Sequence, residues 1–146
     1  MNSEIIRLLD KWCGIFICFL LTIIRRVTEL IRGDSNKIYT PHKILFLKLI
    51  EQGAMILAIP AIEKAKSLVG GENVYVCVFR KNNFVLPVMK IISEENIITI
   101  DTNNIFTLAR DIIRFCISCR KRGIDTVIDL EFFSRGSAIL AYLSGA

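Results

Sequence analysis

The sequence predicts an α/β domain, a parallel sheet with helices on its faces, preceded by a long amphipathic helix. Three observations carry this. Short runs of β-branched, aromatic and other large apolar residues recur at 43–48, 74–79, 97–100 and 124–130. Each is followed by a stretch that can carry a connecting helix, and repeated strand-then-helix units place parallel strands in one sheet with right-handed crossovers. Hydrophobic residues make up 53% of the 146 and charged residues 23%, which is enough apolar material for a core but not the pattern of a multi-span membrane protein.

Residues 3–32 read as one helix. At 3.6 residues per turn Arg7, Lys11, Gly14, Cys18, Thr22, Arg25, Glu29 and Arg32 share a narrow face. Ile5, Leu9, Trp12, Phe16, Phe19, Leu20, Ile23, Ile24, Val27 and Leu30 fill the wide arc, with Arg26 as the exception. The uninterrupted apolar run, 12–24, is shorter than the roughly 20 residues a spanning helix needs. Glu4 and Asp10 in the early region, with no small-residue cleavage site after them, speak against a signal peptide. The pattern fits a helix lying in a membrane interface, with Trp12, Phe16, Phe19 and Ile23 down and Arg25 and Arg26 at headgroup level. Packing of the same arc on the chain's own domain or on a partner helix is the alternative. Residues 33–41, "GDSNKIYTP", are polar and turn-forming and read as a linker, so the folded domain spans 42–146.

Within it, 43–48 ("KILFLK") is a strand buried on both faces. Residues 52–68 are helical, with "AMILAIPAI" apolar nearly all round and therefore deep, a kink or restart at Pro60, and an end at Gly70 and Gly71. Residues 74–79 ("VYVCVF") and 97–100 are the second and third strands, separated by a short helix or loop around 82–91. Thr102 or Asn103 caps a helix running to Arg122, with Ile105, Leu108, Ala109, Ile112, Ile113 and Cys116 in helical register and Gly123 as its stop. Residues 124–130 form the fourth strand and 133–143 the last helix.

Ligands of such sheets sit at the carboxyl ends of the strands. The residues there are Lys48, Glu51, Gln52 and Gly53, then Arg80 and Lys81, then Asp101, Thr102 and Asn103, then Asp129, Glu131, Ser134 and Arg135. Helix N-termini at the same rim add amide donors suited to an anion. A net charge of +5 favours an anionic partner without choosing between a phosphate-bearing ligand, an acidic membrane surface and nucleic acid. Dispersed basic residues without interleaved aromatics make nucleic acid the weakest of the three. Neither a Gly-x-Gly-x-x-Gly nor a P-loop occurs, so an ordinary dinucleotide or NTPase site is not expected. Five cysteines without regular spacing indicate a reduced, cytosolic setting. Cys116 and Cys119 stand inside a helical pattern and read as half-buried thiols rather than a metal or redox pair.

Three stretches together resemble one family. "KILFLKLIEQGAMILAIPAIEKAK" (43–66) is similar to the opening of family 9 glycosyltransferases, the ADP-heptose:lipopolysaccharide heptosyltransferases. "GIDTVIDLEFFSRGSAILAYLSGA" (123–146) resembles that family's Asp-Leu-Gln/Glu segment and the arginine-bearing, Ser-Ala-rich helix after it. "LDKWCGIFICFLLTIIRR" (9–26) looks like the membrane-proximal N-terminus of one branch. The resemblance implies the N-terminal, acceptor-side half of a GT-B fold, with Rossmann-like domains facing across a cleft and the C-terminal donor domain missing from this chain. It further implies an inverting, metal-independent sugar transfer from a nucleotide-sugar to a lipopolysaccharide or other cell-envelope glycan, at the inner face of the cytoplasmic membrane. No cofactor is implied beyond the nucleotide-sugar co-substrate, and the chain alone is expected to be inactive. Lys48, Gly53, Glu131, Ser134 and Arg135 are the candidate substrate-binding residues: Glu131 and Arg135 as acceptor or phosphate contacts, or else a surface salt bridge fixing the last turn, and Lys48 as an anion contact, or else a lysine reaching solvent from the end of its strand. The family places its general base, an Asp, directly after the glycine; here Ala54 follows Gly53, and Glu51 on the same turn is the candidate base. The competing class is a non-catalytic, membrane-associated α/β binding or scaffold module that keeps the fold without turnover.

Overall fold

The computed structural model describes residues 18–24, 26–27, 40–50, 52–82, 90–131 and 134–146. Four parallel strands form one sheet: β1 (Ile44–Leu47), β2 (Val74–Phe79), β3 (Ile97–Ile100) and β4 (Thr126–Asp129), in the order β3-β2-β1-β4. Ile44 pairs with Val74 on one side and Thr126 on the other, so β1 is central and buried at all four residues. That burial explains its unbroken apolar run, since a strand covered on both faces has no polar side to alternate with.

Helix α1 (Gln52–Val69) covers one face of the sheet, where Met55, Ala58, Ile62 and Ala65 pack on Ile44, Phe46, Val74, Val76 and Val78. Helices α2 (Ile105–Arg122) and α3 (Arg135–Ser144) cover the other, with Phe115, Cys119 and Leu140 against Leu45, Leu47, Tyr75 and Cys77. Residues 18–24 and 26–27 are helical and lie beside α3, with Cys18, Leu21 and Thr22 facing Ala138, Ile139 and Tyr142 across a shallow groove. No helix of the described residues is long and apolar enough to cross a membrane.

Several expectations are corrected. Helix α1 is not deep on all sides, because Ile56 and Leu57 are exposed, Leu57 at 82%: among the described residues, nothing covers that side of the helix. Pro60 does not restart it, since the helix runs unbroken from Gln52 to Val69; both Pro60 and Ile56, whose carbonyl the proline cannot pair, lie on the exposed side, open to solvent. The cap of α2 is Asn104, not Thr102 or Asn103: its side chain accepts from the Thr107 amide at 2.8 Å while Thr107 Oγ1 accepts from the Asn104 amide. Thr102 is buried, and Asp101 accepts from the Asn103 amide. Of the apolar positions in helical register, Ile105, Ala109 and Ile113 are exposed, because the buried stripe of α2 runs through Asp111, Phe115 and Cys119. Gly123 ends α2 in the left-handed region (φ 68°), as its position after three basic residues predicts.

On the N-terminal helix, Trp12, Phe16 and Arg25 lie outside the described residues. Phe19, Leu20, Ile23, Ile24, Arg26 and Val27 are exposed, so the described part of the apolar arc does not pack on the domain; the narrow face, through Cys18 and Thr22, is what meets α3.

Candidate functional site

The carboxyl ends of β1 and β4 diverge where neighbouring connections leave to opposite faces of the sheet, the usual place for a ligand crevice. Here a side chain of the protein fills it. The Glu131 carboxylate accepts hydrogen bonds from the amides of Leu49 and Ile50, the latter at 2.8 Å, and lies 3.7 Å from Lys48 Nζ. Both side chains are only 4% exposed. Lys48 Nζ also donates to the Leu130 carbonyl at 3.3 Å. From the β2 side, Asn82 Nδ2 donates to the carbonyls of Leu49 and Ile50 at 2.6 and 2.8 Å. The segment leaving β1 is thus held through its amides by the β4 side and through its carbonyls by the β2 side.

This revises two of the sequence-derived sites. Lys48 was read as an anion contact or as a lysine reaching solvent; it is buried and turned toward Glu131, since a buried ammonium requires a close carboxylate and carbonyl partners. Glu131, read as an acceptor contact against a surface ion pair, instead forms a buried clamp. The local turn explains its direction. Asp129 accepts from the Glu131 amide at 2.9 Å and from Ser137 Oγ at 2.7 Å, bending the chain back over β1 before α3 begins.

Ser134 is the N-cap of α3, its hydroxyl accepting from the Ser137 amide at 3.3 Å. Arg135 is exposed in the first turn of that helix. Gly53 is exposed at the start of α1, and a Cβ there would meet nothing within 4 Å, so packing does not demand a glycine. Glu51 lies outside the described residues. Of Lys48, Gly53, Glu131, Ser134 and Arg135, it is Gly53 and Arg135 that remain exposed and Ser134 half-buried, whereas the side chains of Lys48 and Glu131 are buried.

A second polar constellation sits past β2 and β3. Asp111, on the buried stripe of α2 with its side chain 4% exposed, accepts from the Asp101 amide at 3.0 Å and from Arg110 Nε at 3.1 Å. Arg114 and Arg80 approach it at 3.8 and 3.9 Å, and Arg80 lies 3.4 Å from Asp101. Burial alone would push the Asp111 carboxyl up, but the Asp101 amide and the Arg110 and Arg80 guanidinium groups outweigh it and hold the group below the usual carboxylate range. Sequence reading missed Asp111, Asn82 and Ser137. Asp111 had left a signal: an acidic residue in register with Leu108, Ile112 and Phe115 occupies a buried position and must find partners.

The Cys-x-x-Cys of α2 is not poised for chemistry. Burial raises Cys116, and burial with the neighbouring Cys116 pushes Cys119 up to about 12, so both remain thiols near neutral pH. No cluster of three or more metal-ligating residues occurs among the described residues. Comparison with protein-family models, with curated proteins and with solved structures gives no match.

Proposed function

We propose that this chain is the acceptor-side domain of a heptosyltransferase-like glycosyltransferase, held at the inner surface of the cytoplasmic membrane by its N-terminal helix. The observation that carries the reading is the sheet itself. Its order, β3-β2-β1-β4, is the first four strands of the doubly wound pattern that continues past β4. Ile128 and Asp129 on β4 are exposed, whereas β1 is fully buried, so further structure can extend the sheet on that side. The quoted resemblance at 43–66 and 123–146 supplies the reaction class.

In this reading the clamp of Glu131, Lys48 and Asn82 positions rather than reacts. It fixes the backbone from which Glu51 and Gly53 follow, as a base needs when it must lie within hydrogen-bond reach of a sugar hydroxyl. Glu51 takes the hydroxyl proton, the oxygen bonds to the anomeric carbon, and the nucleoside diphosphate leaves. Ser134 and Arg135 at the head of α3 contact the acceptor. The donor nucleotide is held by a second α/β domain.

The test combines the purified chain with a candidate donor-binding domain and a nucleotide-sugar, and measures transfer. Expected are no turnover by the chain alone, turnover in the mixture, and its loss with Glu51→Gln. Transfer by the chain alone contradicts the reading.

One observation favours the non-catalytic alternative: the crevice between β1 and β4 is filled by Glu131. A binding or scaffold module would keep this closure, with no transfer in any mixture and unchanged partner binding after Glu51→Gln.

A further inference from the structure

We propose that the outward face of α2 is a docking surface for an anionic phospholipid bilayer, a second membrane contact that extends the peripheral placement proposed for the N-terminal helix. Residues 106, 113 and 117 return to one side of the helix, opposite the buried Phe115 and Cys119. Phe106 is 84% exposed, Ile113 60% and Ile117 48%. Arg110, Arg114 and Lys121 share that side at the same helical spacing. In all, α2 carries Arg110, Arg114, Arg120, Lys121 and Arg122 against one acidic residue, Asp111, which is buried. The outer face thus combines exposed apolar side chains with positive charge.

The arginines are also arranged. Asp111 gathers Arg110 Nε at 3.1 Å, Arg114 at 3.8 Å and Arg80 at 3.9 Å, and Asp101 adds a second contact to Arg80. Three arginines meet two largely buried carboxylates, and each arginine side chain is more than half exposed; a guanidinium carries five N–H donors, more than these carboxylate contacts use.

Charge complementarity selects the occupant. A bilayer containing anionic lipid offers phosphates for the arginines and an acyl boundary for Phe106, Ile113 and Ile117. A second copy would set one basic face against another. The placement agrees, because α2 and α3 cover the same face of the sheet and the N-terminal helix, with Phe19, Ile23 and Val27 exposed, lies beside α3.

The experiment uses the full chain and moves its one tryptophan, Trp12, to the proposed surface: Trp12→Phe with Phe106→Trp. Emission is recorded with vesicles of phosphatidylglycerol and phosphatidylcholine, and with phosphatidylcholine alone. The proposal expects a blue shift and quenching by brominated lipid with the anionic vesicles only. Arg110→Gln and Arg114→Gln should each weaken vesicle binding about fivefold, the ratio given by roughly 1 kcal/mol per cationic side chain near an anionic leaflet. The unmodified chain, through Trp12, reports the N-terminal helix separately. If Trp12 shifts and the tryptophan at position 106 does not, the α2 proposal fails and the helix reading stands; the reverse result does the opposite. Equal shifts on both vesicle types, no binding, or a concentration-dependent shift without vesicles each overturn it.

Discussion

Replacing Glu131 by alanine removes the group on which the segment after β1 depends. The carboxylate accepts two backbone amides and neutralises a lysine whose side chain is 4% exposed. Without it, Lys48 keeps the Leu130 carbonyl but loses the carboxylate 3.7 Å from its ammonium. Removing one partner of a buried pair costs about 3–5 kcal/mol. The amide of Ile50 is exposed enough for water to replace its bond, so the lost hydrogen bonds add little beyond Leu49. Glu131→Ala should therefore lose about 3–5 kcal/mol, roughly 6–20 °C in Tm for a chain of this size. Glu131→Gln keeps an acceptor and should lose less, about 1–2 kcal/mol. The double variant Glu131→Ala with Lys48→Met should recover part of the loss, because no charge is then left buried. Urea unfolding followed by circular dichroism measures all three. A Glu131→Ala chain within 0.5 kcal/mol of the parent, about the limit for substitutions away from such features, would mean that the carboxylate is not a clamp.

Asp111→Asn should cost about 1–3 kcal/mol, since it weakens the acceptor for the buried Asp101 amide and unbalances three arginines, and thermal unfolding measures it. Because the folded pKa of Asp111 is depressed, its contribution is fully present above the unfolded value of about 4 and is lost as pH falls through the folded value; the stability gap between the parent and Asp111→Asn should therefore narrow on acidification through that window. Gly123→Ala should cost about 1–2 kcal/mol from backbone strain alone, as φ is +68° and nothing lies within 4 Å of the new Cβ. Cys77 and Cys119 are fully buried with raised pKa values, so thiol reagents should modify them in native protein only at the opening rate, and faster labelling would contradict their packing.

Much of the fold was legible because strands write themselves as short β-branched and aromatic runs, unbroken in β2, which is buried on both faces, and still apolar in the edge strand β3: 74–79 and 97–100 match β2 and β3 to the residue. The glycine stop at 123 was legible for the same local reason. What sequence did not reveal is which apolar residues stay uncovered. Ile56, Leu57, Ile105 and Ile113 carry helical spacing, but spacing does not say whether a second layer exists to bury them. At the site, the strand ends identified the right neighbourhood, yet Glu131 and Lys48 turned inward, a choice fixed by the amides of Leu49 and Ile50 across 81 and 82 residues of separation. Local pattern cannot see such a partner.

The most direct measurement of the central claim is amide chemical-shift mapping of the labelled chain titrated with a lipopolysaccharide inner-core oligosaccharide. An acceptor-side domain predicts saturable shifts concentrated at Gly53, Ser134, Arg135 and their neighbours at the ends of β1 and β4. Shifts absent there, or confined to α2, would contradict it.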